Sequence, residues 1–124
     1  MAIGDAAVRA FIKYGRLCPD AGELSYFDVC ARLRGAMKDE VSAMRMLAVY
    51  DTLRMLRAEG KDISADAVEY VYMSDTYKIL RKNEISFRVL KFSVLNFMDT
   101  RTVWRKIAEA KELYTKILKQ QNSD

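Results

Sequence analysis

Seven consecutive residues, Thr100-Arg101-Thr102-Val103-Trp104-Arg105-Lys106, bring three cations, two hydroxyls and an indole into two helical turns. A guanidinium is a rigid fork of N–H donors that matches a phosphate or the paired acceptors of a guanine edge, and a threonine hydroxyl can bond to either a phosphate or a base. The chemistry on offer is recognition of a polyanion, with no bond made or broken. Catalysis has little support elsewhere. The chain has no histidine, which removes the commonest general base and the usual partner of a serine or cysteine nucleophile. It has no glycine-rich phosphate loop and no calcium-loop pattern, and Cys18 and Cys30, with eleven residues between them, offer no zinc spacing. We expect no enzymatic activity, no cofactor and no metal, with both cysteines as reduced thiols.

Those side chains act together only if a helix holds them. From Thr100 onward, Val103, Ile107, Ala110, Tyr114 and Ile117 recur at helical spacing, while Arg101, Arg105, Ala108 and Glu112 fall on the opposite side. Asp99 or Thr100 can cap the start, and Lys116 and Lys119 suit the negative end. The pattern predicts a helix over about 100–118 with one face for a core and one for a polar ligand. Ahead of it, Glu84 to about Phe97 reads as a helix with two apolar stripes. Ile85, Val89 and Phe92, with Asn96, should pack on Val103, Ile107 and Ala110; Phe87, Leu90, Val94 and Phe97 should meet the N-terminal helices or a partner subunit. Arg81-Lys82-Asn83 forms a basic hinge in which Asn83 is the expected cap.

The rest of the chain reads as scaffold. Among 124 residues, 51% are apolar and only one is proline, without the alternation of strands or hairpin turns. The expectation is an all-α fold, a compact helical domain of about six helices with a C-terminal helix-turn-helix-like unit. Helices are predicted from Asp5 to Leu17, Ser25 to Met37, Asp39 to Glu59 and Ala65 to Met73. The first should stop at Pro19 to Gly22, the third should close at Gly60, and Ser64 should cap the fourth before a break at Ser74-Asp75. The third helix has its main stripe at Val41, Met44, Ala48, Thr52, Met55 and Leu56 and is apolar almost all round, so it should be covered on several sides. Tyr70, Tyr72 and Tyr77 read as packing residues before base-stacking ones. Residues 1–63 form a docking or dimerisation region, 64–119 the ligand-binding region, and 120–124 a frayed tail. No apolar run approaches the roughly 18 residues that span a bilayer, so a cytoplasmic protein without membrane contact is expected.

Charge divides the chain unevenly. Lys78 to Lys119 holds eleven Lys and Arg against four Asp and Glu, a surplus of seven, whereas residues 1–77 hold ten against twelve. A basic C-terminal third on a slightly acidic body is the footprint of a module that binds nucleic acid.

Residues 67–118 resemble the C-terminal DNA-binding region, region 4, of sigma-70-type factors, and more closely the small phage regulators of late or lysis genes of the ArpU and RinA-like group. The resemblance is carried by Val68-Glu69-Tyr70-Val71-Tyr72, by Asn83-Glu84-Ile85-Ser86, and by Thr100 to Lys106 followed by Ala110, Leu113 and Leu118. It implies that the last helix enters the major groove while the preceding one braces it across the backbone. The bracing helix here is longer than usual for such a motif, and Phe97-Met98-Asp99 lacks the customary glycine. On this reading the chain is a sequence-specific transcription regulator of phage or prophage origin. Thr100, Arg101, Thr102, Trp104 and Arg105 are the base-side candidates, with Trp104 better placed to pack at the groove wall. Arg81, Lys82, Arg88, Lys106 and Lys111 are the phosphate-side candidates. The partners would be double-stranded DNA, with RNA polymerase and a second copy of the chain as further candidates. The alternative is a helical protein-interaction or assembly subunit without catalytic activity, such as a phage packaging or adaptor component.

Overall fold

The computed structural model describes residues 5–18, 25–74 and 80–122, and these form an all-helical domain. In order they are α1 (Ala6–Leu17), α2 (Tyr26–Ala36), α3 (Glu40–Ala58), α4 (Asp62–Val68), α5 (Lys82–Leu95) and α6 (Thr100–Asn122), with α4 continuing as a π-helical turn over Glu69–Met73. The expected break at Pro19 to Gly22, together with Asp75 and Tyr77, lies outside the described residues.

Short oxygen-bearing side chains start four of these helices. Asp5 accepts from the Ala7 and Val8 amides at 2.9 and 3.1 Å, and Ser25 and Asp28 form a reciprocal capping box. Asp39 accepts from the Ser42 amide at 2.8 Å and Asp99 from the Thr102 amide at 2.7 Å. Each satisfies amides that the first helical turn leaves without partners. Gly60 follows α3 at φ +77°, a conformation that glycine adopts without steric penalty.

The core is continuous across the chain. Phe11 of α1 is fully buried between Tyr72 of the π-turn and Tyr114 of α6, with ring centroids 6.0 and 5.6 Å away. Val103, Ile107, Ala110, Tyr114 and Ile117 are all buried, so α6 contributes the expected stripe along its length. The described residues of α1 to α3 and those of α4 to α6 therefore share one hydrophobic core. Tyr72 is buried and Tyr70 packs against Phe92 with tilted rings, centroids 5.6 Å apart, which makes both packing residues. Cys18 and Cys30 are free thiols.

Several local expectations shift. In α3 the buried set is Met46, Ala48, Val49, Thr52, Leu53 and Leu56, while Val41, Met44 and Met55 are exposed. The expected main stripe therefore fails at Val41, Met44 and Met55: α3 is apolar almost all round, and packing against α1, α2, α4 and α6 covers a different arc. α4 begins at Asp62, ahead of the expected Ala65, and Ser64 is not its cap. The Ser64 hydroxyl instead donates to Glu109 of α6 at 3.0 Å, tying two helices together. α5 begins at Lys82, so Lys82 and Asn83 are helical, and Arg81 holds the cap position without a side-chain bond. The tail expected to fray from residue 120 is helical as far as Asn122. Among the described residues, no helix is long and apolar enough to cross a membrane.

Candidate nucleic-acid interface

The first turns of α6 are presented by the packing of its other face. With Val103 and Ile107 buried, Arg101 and Arg105 point away from the core and are exposed, as is Thr100. Thr102 is half-buried, and Trp104 is 40% exposed on the flank. The structure thus brings four of the five base-side candidates to one accessible helix end, with Thr102 at its margin. Asp99 sits at the same end. Amide and hydroxyl bonds from Thr102, and the nearby charges of Arg101 and Arg105, hold its carboxyl below the usual range. It is therefore ionised at neutral pH and offsets part of the positive charge there.

The phosphate-side candidates divide by their neighbours. Arg81 and Lys82 are exposed at the start of α5. A helix of this length rises about 20 Å, so they stand well away from the α5–α6 turn, a separation wider than the major groove at about 12 Å. Lys106 is half-buried and lies 3.8 Å from Glu109, which already accepts from Ser64. Lys111 pairs with Asp5 at 3.0 Å, joining α6 to the start of α1.

Arg88 is a correction to the expected set. It is 8% exposed, and its Nη1 donates to the Val71 carbonyl at 3.0 Å and the Ser74 carbonyl at 2.8 Å. These carbonyls lie at the end of the π-turn, and the buried guanidinium caps them, so it cannot reach a phosphate. A sequence signal for this existed: Arg88 is three residues after Ile85 and four before Phe92, which places it on the inner side of α5.

The turn between the two helices is built without glycine. Asn96 ends α5, Phe97 adopts φ 54°, and the Phe97 and Met98 amides donate back to the carbonyls of Val94 and Ser93. This is the Schellman arrangement, with phenylalanine where glycine is usual. The second apolar stripe of α5 is not covered by the N-terminal helices: Phe87, Leu90 and Val94 are 62%, 51% and 67% exposed, and Phe97 is 97% exposed. Sequence reasoning found this stripe and missed the left-handed backbone at Phe97.

A cleft of about 500 Å³ lies between α1, α3 and α6, with Arg9, Lys13 and Arg45 around Ala10, Met46 and Tyr114. No group of three or more acidic, cysteine or histidine residues among the described residues could hold a metal ion. Comparison with protein-family models, with curated proteins and with solved structures finds no match to this chain.

Proposed function

We propose that this chain is a sequence-specific DNA-binding transcription regulator, of phage or prophage origin, that reads the major groove with the start of α6. The observation that carries the reading is the exposed Arg101 and Arg105 face, held on a capped helix whose opposite side is buried in the core. Each guanidinium can make a bidentate contact to a guanine or a fork to a phosphate, and the two outweigh the single charge of the capping Asp99. Thr100 and Thr102 supply hydroxyls at the same end, and Trp104 packs against the groove wall. Arg81 and Lys82 hold the flanking backbone, with Lys106 a weaker third contact because of Glu109. Lys111 and Arg88 are occupied inside the protein. RNA polymerase is the proposed second partner, and the cytoplasm the proposed location.

The test is binding to a duplex obtained by selection from random DNA, at two salt concentrations. Wild-type affinity should fall steeply with salt, and Arg101→Ala and Arg105→Ala should each lose about 1–3 kcal/mol and relax specificity at one base pair. Wild-type binding that ignores salt, or unaltered binding by the double variant, would overturn the reading.

A second reading, a non-catalytic assembly subunit such as a phage packaging or adaptor component, is favoured by the exposed apolar stripe of α5. It predicts a stable assembly and no duplex binding at moderate salt.

A further inference from the structure

The outward face of α5 is the largest feature that DNA recognition leaves unused. Phe87, Leu90 and Val94 recur at helical spacing along it, with Leu95 57% exposed on one flank and Phe97 just past its end. Fully exposed aromatic side chains present roughly 150–250 Å² each and aliphatic ones somewhat less, so the five together expose on the order of 600 Å² of apolar surface. A soluble monomer rarely shows a contiguous apolar patch beyond a few hundred Å².

Phe97 adds an independent observation. It is held at φ 54°, where a residue with a β-carbon is strained by about 1–2 kcal/mol relative to glycine, and its ring is 97% exposed. In an isolated domain, glycine would close the same turn with less strain and less apolar surface. The strain is offset only if the ring is buried against something.

We infer that this face is a homodimer interface, with α5 of one copy packed antiparallel against α5 of a second. Two observations select a second copy. Burying about 600 Å² on each side gives about 1,200 Å² in total, which reaches the lower edge of stable protein–protein interfaces. The stripe is also self-complementary. Phe87 and Phe97 share a midpoint with Leu90 and Val94, so an antiparallel two-fold there sets Phe87 of each copy against Phe97 of the other and Leu90 against Val94. The dimer rests on neither functional reading. It requires no DNA, and it is compatible with a regulator or an assembly subunit.

The experiment is sedimentation of the full chain, without DNA, across micromolar concentrations. It compares wild type, Val94→Glu, Phe87→Glu and Phe97→Gly. Wild type should be a dimer, and both glutamate variants should sediment as monomers with unchanged helical circular dichroism, since each replaces an exposed side chain. Phe97→Gly should weaken the dimer by about tenfold or more, as expected for loss of a buried aromatic anchor. Placed in the monomeric Val94→Glu background, the same substitution should raise the melting temperature by relieving the left-handed turn. A monomeric wild type at the highest concentration would overturn the inference, as would glutamate variants that remain dimeric. Failure here leaves the duplex-binding result untouched.

Discussion

The guanidinium of Arg88 donates to the carbonyl of Val71 across 3.0 Å, joining α5 to the π-turn that ends α4. The same nitrogen reaches the Ser74 carbonyl at 2.8 Å, and the Ser74 hydroxyl donates to the Tyr70 carbonyl. One arginine from the next helix thus donates to two carbonyls of the preceding element, and in doing so fixes how α5 lies against α4.

Replacing Arg88 should therefore cost stability and leave DNA electrostatics alone. Arg88→Ala removes a buried charged donor from two carbonyls, a loss of about 2–3 kcal/mol measurable by urea unfolding. The salt dependence of duplex binding by the folded fraction should match wild type. A reduced salt slope with intact stability would restore Arg88 as a phosphate contact.

Gly15 tests how closely α1 meets the π-turn. A β-carbon there would stand 2.8 Å from both the α- and β-carbons of Met73. Alanine is the better helix former, so a surface glycine replaced by it would gain stability. Here Gly15→Ala should instead lose about 1–3 kcal/mol, because Met73 must move with its backbone. A stabilised variant would show that α1 and the π-turn can separate freely.

The lysines separate phosphate contacts from structural ones. Lys82→Ala should weaken binding about equally for all sequences and lower the salt slope by about 1, with little change in melting temperature. Lys111→Ala should do the reverse. It releases Asp5 from its 3.0 Å ion pair, and the effect should stay near or below about 1 kcal/mol because the pair is partly solvated. Equal salt slopes for the two variants would contradict this division.

Stability should peak in the mildly acidic range. Bonds from Ser42 and Thr102 lower the carboxyls of Asp39 and Asp99. At Asp5, burial acts upward but is outweighed by Lys111 and the α1 amides, so its carboxyl is lowered as well. Groups lowered on folding contribute fully above the ordinary carboxylate value and lose that contribution as pH falls through the folded value. Burial raises Asp51, and it raises Glu69 despite the 2.7 Å ion pair with Arg57. Groups raised on folding favour the fold most when protonated, and that contribution is lost as pH rises through the raised value. The melting temperature should thus rise modestly as pH falls from neutral toward the ordinary carboxylate range, and drop once pH falls below that range. Glu69→Gln should flatten the upper limb; an unchanged profile would rule out Glu69 as its source.

The sequence by itself determined the all-helical class, most helix starts and the inward face of α6. These features are local: a short polar residue meets the open amides of a first turn, and a single apolar stripe at helical spacing has one sensible side to bury. Asp5, Ser25, Asp39 and the row from Val103 to Ile117 were legible for that reason, as was the exposure of Arg101 and Arg105. Where an element was apolar on more than one side, periodicity lost its power to choose. Only the tertiary structure decided that Val41 and Met55 of α3 face outward, and that Phe87, Leu90 and Val94 of α5 are left bare. It also decided which cations are available. Lys82 is exposed, whereas Arg88 and Lys111 are engaged by the Val71 carbonyl and by Asp5, partners 17 and 106 residues away in the chain. A charge count sees only residue types; whether a cation is available depends on what the fold places next to it.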